Sequence, residues 1–346
     1  MHSFLIVALL LIQAEPSPAE VKAGFLALLD RPKVALDAKL DRAETNDGLV
    51  VEHLSFASET KADGTIERVP TLLVRPEDTT RRRPAVIVLH GTGGSKEGLK
   101  SGLDELARKG FVAVSIDGRY HGERAKGLKG TEAYLQAITR AWRSKPGEPQ
   151  EHPFYYDTCW DVWRTIDYLQ TRPEVDPDRI GLIGYSKGGI ETWLAGAVDD
   201  RVKVAIPAIS VQSFAWGLEN NGWQGRARTI AAAHDDAAKD LGEARVNAAV
   251  CRKLWGKIIP GITDKYDGPS MLRLFAGRPL LILNGSEDPN CPLGGLKQAV
   301  ASAEAAYRAA GAEDKLRVMI AEGVGHSVTP AQHEAAIDWL VRWLKP

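Results

Sequence analysis

From Pro84 onward the chain alternates short, β-rich apolar runs with longer amphipathic segments, and this alternation constrains the fold more than any other feature. The runs are 84–90 (PAVIVLH), 111–117 (FVAVSID), 179–185 (RIGLIGY), 202–209 (VKVAIPAI), 278–285 (RPLLILNG) and 315–322 (KLRVMIAE), each bounded by Gly, Pro or charge. Near-continuous apolar runs of this kind belong to parallel strands covered on both faces. Between them, 99–109, 154–172, 187–198, 293–310 and 330–344 carry helical spacing, as in Val162, Ile166 and Leu169. The expectation is an α/β protein with a mostly parallel central sheet and helices on both faces.

Upstream, 49–56 (LVVEHLSF) and 69–76 (VPTLLVRP) flank the Asp63-Gly64 turn signal and read as antiparallel edge strands, an extension over 49–76. Residues 212–276 break the strand rhythm. There Ile230, Ala233, Ala237, Leu241, Ala244, Ala248, Cys251 and Trp255 recur every three or four positions, which predicts a helical lid insertion. The 346 residues, long enough for two domains, are thereby read as one domain over 20–346. The apolar run 4–12 (FLIVALLLI) is too short to span a bilayer, which takes about 20 residues. With small residues at Ala14, Ser17 and Ala19 it reads as an export signal over 1–19, although no Lys or Arg precedes it. That implies a secreted or periplasmic protein with no stable membrane insertion after signal removal. The alternative is a cytoplasmic protein whose first helix packs on the body.

Lys plus Arg number 44 against 45 Asp plus Glu, so a net charge of −1 gives no overall attraction to nucleic acid, and none is expected as a partner. Cys159, Cys251 and Cys291 are too few and too scattered for a disulfide framework or a CxxC metal site.

The sharpest local signal is Gly184-Tyr185-Ser186-Lys187-Gly188-Gly189, a G-x-S-x-G between a predicted strand and a predicted helix. A turn that tight leaves no room for side chains at Gly184 and Gly188, and it projects Ser186 Oγ above the sheet edge beside the free N–H groups of a helix start. Neither a dinucleotide loop nor a Walker loop has this spacing.

With this elbow, the chain resembles the α/β-hydrolase superfamily, and within it the dienelactone hydrolase-like and acetyl xylan esterase-like serine hydrolases. The likeness extends over about residues 70–346. It rests further on His90-Gly91-Thr92-Gly93-Gly94, Asp117-Gly118-Arg119-Tyr120-His121-Gly122, Arg172-Pro173-Glu174-Val175-Asp176, Asn284-Gly285-Ser286-Glu287-Asp288 and Gly325-His326, all in the superfamily's chain order.

A serine hydroxyl needs an imidazole to take its proton and a carboxylate to fix that imidazole's tautomer. In this fold the order is Ser, acid, His, which selects His326 over His333, since His333 falls inside the last predicted helix. Glu287 and Asp288 compete as the acid; the resemblance favours Asp288, placed as Gly, two residues, Asp. The expected oxyanion donors are the backbone N–H of Lys187 and that of Thr92, with Gly93 as the second candidate. The Lys187 side chain either pairs with an acid such as Glu191 one turn on or faces a carboxylate-bearing substrate. Asp117, Arg119 and His121 read as architectural, and His90, His121 and Asp117 lack metal-ligand spacing. Trp160, Trp163, Trp193, Trp339 and Trp343 read as core, while Trp216, Trp223 and Trp255 belong to the insertion.

The reading is a serine hydrolase that cleaves carboxylic esters through an acyl-enzyme, without cofactor or metal. The resemblance implies a small-molecule or carbohydrate ester as substrate. The alternatives are a prolyl-oligopeptidase-like peptidase, for whose propeller the first 80 or so residues are too few, and a non-catalytic binding protein on a hydrolase scaffold.

Overall fold

The structure, a computed structural model, describes residues 16–346. The run 4–12 lies outside the described residues. The described chain opens with α1 (Pro18–Leu28), followed by β1 (Lys39–Asn46), β2 (Leu49–Thr60) and β3 (Ile66–Pro76). Next come β4 (Arg83–Leu89), α2 (Lys100–Arg108), β5 (Val112–Ile116), α3 (Glu132–Arg143), α4 (Tyr156–Thr171), β6 (Val175–Tyr185), α5 (Lys187–Val198) and β7 (Val202–Ala208). Between β7 and β8 (Leu280–Gly285) stand α6 (Phe214–Glu219), α7 (Gln224–Arg228), α8 (Ala231–Asp240), α9 (Ala248–Ile258) and α10 (Gly268–Leu272). The chain closes with α11 (Leu293–Ala309), β9 (Leu316–Ala321) and α12 (Pro330–Leu344).

All nine strands form one sheet in the order β1-β2-β3-β5-β4-β6-β7-β8-β9. Pairing is antiparallel from β1 to β5 by way of β2 and β3, and parallel from β5 to β9. The apolar runs form the parallel part because both faces are covered. On one face Leu103 and Leu106 of α2 and Ile337 and Leu340 of α12 pack on Val86, Ile183 and Ile206. On the other, α1, α4, α5 and α11 pack with the insertion on Ile87, Leu182 and Ala205. Every residue of α5 is buried, so this helix needs no polar face.

Three features refine the sequence reading. The edge extension has a third strand, β1, whose residues are all exposed. The boundary expected at residue 19 falls inside α1, whose first turn holds Pro18 and is capped by Ser17 with Glu20. Val21, Phe25 and Leu29 of this segment join the core. The insertion is helical, and its Ile230, Ala233, Ala237, Val250, Cys251 and Trp255 are buried in the main core cluster. Among the described residues no helix is long and apolar enough to cross a membrane.

An ion-pair network ties the edge strands to the loop after β5 and to α4. Arg119 grips Asp161 through Nε at 2.7 Å and Nη2 at 3.0 Å, and Arg124 reaches the same carboxylate at 2.7 Å. Arg124 also holds Glu67 at 2.6 Å, and Arg119 holds Glu59 at 2.6 Å. Burial opposes the ionisation of Glu67, but Arg124, Arg119 and Lys61 outweigh it and hold its carboxyl at about 2. A carboxyl depressed in the folded state contributes stability that is complete above its unfolded value and lost as pH falls towards the folded one. The contribution of Glu67 is therefore expected to be level from about pH 7 to 5 and to shrink below about pH 4.5. Glu67→Gln should be less stable at pH 7 by about 1–3 kcal/mol and should lose less than the parent between pH 5 and 3. Urea titrations of both proteins across this range check it.

Candidate active site

The sheet register brings the relevant loops together. Leu89 of β4 lies opposite Gly184 of β6, so the loops after these strands run side by side. The turn from β6 into α5 is as tight as the motif requires: a Cβ on Gly184 would stand 2.1 Å from Gly188 O, and one on Gly188 would stand 2.4 Å from Leu89 O. Between them Ser186 takes a left-handed φ of 55°, strain that persists only where surrounding structure imposes it. Its N–H is held by Ala208 O of β7 at 2.9 Å. No side chain caps α5, so its first N–H groups have no capping partner.

Three side chains meet in line above the strand ends. Ser186 Oγ lies 2.8 Å from His326 Nε2, and His326 Nδ1 lies 2.7 Å from Asp288 Oδ2. Asp288, 3% exposed, also accepts the N–H groups of Asn290 at 2.8 Å and Cys291 at 3.3 Å on Oδ1. The carboxylate thus has one oxygen fixed by its own loop and one left for the imidazole. The Nδ1 proton then faces Asp288, leaving Nε2 free to accept from the hydroxyl, an arrangement that can generate a serine nucleophile. Glu287, the competing acid, is exposed on the same loop, and the carboxylate that meets the imidazole is that of Asp288. His333 sits on α12 and contacts Glu105 at 2.8 Å.

Thr92 and Gly93 lie in the loop after β4, half-buried and exposed respectively. A Cβ on Gly91 would stand 3.4 Å from Ser186 Cβ, so this loop passes directly beside Ser186. His90 fastens it: Gly118 N–H donates to His90 Nε2 at 3.0 Å, and His90 Nδ1 donates to Gly91 O at 2.8 Å. Burial, with Lys187 nearby, pushes His90 down to about 4 and keeps it neutral in this bridging role. Asp117 accepts Lys96 N–H at 2.8 Å and Glu123 N–H at 3.0 Å, and His121 donates to Arg119 O at 2.8 Å. These residues shape loops and stand apart from the Ser186–His326–Asp288 line.

The Lys187 side chain runs inward from the start of α5. Its Nζ lies 2.6 Å from Glu191 Oε1, and both side chains are 1% exposed. It therefore meets its acid one turn along its own helix and does not reach a substrate. Burial pushes the Glu191 carboxyl up to about 7 against the pull of Lys187. Two contributions escaped sequence reasoning: the Asn290 and Cys291 N–H groups on Asp288, and the bridge made by His90. Backbone donors leave no trace in side-chain identity.

Comparison with known proteins follows the same lines. Residues 26–214 match the acetyl xylan esterase (AXE1) family, and residues 150–311 match a fungal glucuronyl esterase family. The protein YtaP of Bacillus subtilis (strain 168) is 26% identical over 296 residues, 80% of this chain and 84% of its own. Acetyl xylan esterase 1 from Thermoanaerobacterium sp. JW/SL YS485 superposes with a TM-score of 0.67 at 19% identity, covering 95% of each chain. A glucuronoyl esterase from Solibacter usitatus gives a TM-score of 0.62 at 17% identity over 92% of this chain and 91% of its own. The structural likenesses establish the α/β-hydrolase fold. With more than half of its residues inside the matched AXE1 family, the chain belongs to the acetyl xylan esterase family, whose members are carboxylic ester hydrolases.

Proposed function

We propose that this chain deacylates small acyl esters of carbohydrates, with Ser186 as nucleophile, His326 as proton carrier and Asp288 as the group that orients the imidazole. The observation that carries this reading is the unbroken line of Ser186, His326 and Asp288 contacts at 2.8 and 2.7 Å on the ends of three strands. His326 takes the Ser186 proton as Oγ attacks the acyl carbon, then gives it to the departing alcohol. Water, deprotonated by the same imidazole, releases the acid and restores the hydroxyl. The Lys187 and Thr92 N–H groups hold the oxyanion. Each such donor is worth about 10²–10³ in rate.

The acetyl xylan and glucuronoyl esterases among the similar structures support the sugar ester as substrate. The insertion supports it as well. Trp216 is half-buried with its indole laid over Gly294 and Gly295 at the start of α11, which gives this side of the acid loop an aromatic surface for an alcohol moiety. The apolar run 4–12 supports an extracytoplasmic setting, where polymeric carbohydrate esters are met.

Wild-type protein should release p-nitrophenol from the acetate ester and be labelled by a fluorophosphonate probe. Ser186→Ala should abolish labelling and cut kcat by at least about 10³-fold, and Asp288→Asn should cut it by about 10²–10⁴-fold. An unlabelled, inactive wild-type protein would sink the proposal in favour of a binding scaffold. Acetylated xylan run beside longer-chain esters and a peptide amide tests the substrate class, with acetyl esters turned over best.

Because Lys187 is buried against Glu191, Lys187→Met should lower activity on neutral and acidic esters in parallel. It should also destabilise the fold by about 3–5 kcal/mol where Glu191 is left ionised. An acid whose folded value is raised costs stability as pH climbs past its unfolded value, so the gap to wild type should widen from pH 5 to 8. Denaturation midpoints at those two pH values check the sign.

A further inference from the structure

We propose that Arg226, on the insertion helix α7, is a positioning residue for Asp288, so that the insertion holds the acid in register with His326. The proposal rests on the reading of Asp288 given above and assigns the insertion a part in the chemistry beyond covering the site.

The contact is built from both sides of the acid loop. Asn290 and Cys291 direct their N–H groups to Asp288 Oδ1. The same two residues are gripped from behind by Arg226, whose Nη2 donates to Asn290 O at 3.1 Å and to Cys291 Sγ at 3.5 Å. Gln212, at the root of the insertion, completes the clamp. With its amide nitrogen donating to Asn290 O at 2.9 Å, its oxygen accepts from Arg226 Nε at 3.0 Å and Nη2 at 3.1 Å. Arg226 is 2% exposed, and its charge faces Tyr155 and Cys291 and, beyond them, Asp288, the one carboxylate among its electrostatic partners. Placing a guanidinium in the interior is costly unless its donors are used; here they go to Asn290 O and Cys291 Sγ of the acid loop and to Gln212, which is itself bonded to that loop.

The neighbouring residue gives independent evidence of fit. A Cβ on Gly225 would stand 1.8 Å from Pro289 O and 2.9 Å from Asn290 N, so the backbone of α7 rests directly on the acid loop. A helix seated this closely is a fixed support. Displacing it shifts Asn290 and Cys291 together, and with them the carboxylate they hold. Misplacement of about 1 Å in a catalytic constellation costs up to about 10² in rate.

The test is a double-mutant cycle read in kcat and KM for p-nitrophenyl acetate, with thermal midpoints measured in parallel. Arg226→Met should lower kcat about tenfold or more with KM changed less than twofold, and Arg226→Lys should restore part of the loss. Gly225→Ala should reproduce the loss of kcat by pushing α7 off the loop. In an Asp288→Asn background, where the group acted upon is already disabled, Arg226→Met should cost less than a further twofold. Equal fractional losses in both backgrounds, or folded Arg226→Met with wild-type kcat, would overturn the proposal. Should Arg226→Met not fold, Arg226→Lys and Gly225→Ala carry the same cycle with the same criteria. If Asp288→Asn itself leaves turnover unchanged, it is the functional reading that fails; if Asp288→Asn is impaired and the cycle is additive, only the positioning role fails.

Discussion

The rest of the site depends on one steric constraint, the near-collision of backbones at the turn between β6 and α5. Gly184 and Gly188 touch because nothing larger than hydrogen fits, and this contact forces Ser186 into a left-handed conformation with its hydroxyl clear of the sheet. The parallel register then does the remaining placement. β4 sets the Thr92 loop on one side of the serine, while β8 and β9 deliver Asp288 and His326 from the other. Four loops converge because the ends of β4, β6, β8 and β9 share one edge of the parallel sheet, with only β7 between β6 and β8.

Holding those loops falls to buried polar groups that take no part in the line itself. His90 joins the Thr92 loop to Gly118, Asp117 folds its own loop back on Lys96, and Arg119 and Arg124 share Asp161. Such groups are costly to bury and costly to unpair, so each makes its loop conformation close to all-or-none. The pair of Lys187 and Glu191 extends the same logic into α5, in the first turn after Ser186.

The parallel core was legible because its signals are local. Predicted helices over 187–198 and 330–344 coincide with α5 and α12, and the latter starts at the Thr329–Gln332 capping box with Pro330 in its first turn. Elements without an apolar rhythm of their own escaped. β1 (Lys39–Asn46) is held only through its ladder with β2 and shows every side chain to solvent, so no pattern marks it. α3 has a buried face of Tyr134, Ala137, Ile138 and Ala141, but it is a second helix between β5 and β6, where alternation leads one to look for one. Within the site, the elbow motif picked out Ser186, and chain order together with the predicted last helix, which claims His333, left His326 as its partner. Preferring Asp288 over its neighbour Glu287 took family spacing, and the geometry adds that Asp288 is turned inward by two backbone donors. The contact of Arg226 with Asn290 spans 64 residues and uses a carbonyl, which no residue-type pattern encodes.

The position of β9 at the sheet edge bears on how the protein comes into being. Ser186 is laid down on a central strand with neighbours from both halves of the chain, whereas His326 arrives on the loop after the edge strand and is closed in by α12, whose Gln332 donates to Asn284 O and Met319 O. A domain folds as a unit, so the line from Ser186 through His326 to Asp288 closes only when the late elements β9 and α12 have docked with the rest of the sheet. The integrity of that line therefore reports on the whole domain, from its central strand to its edge.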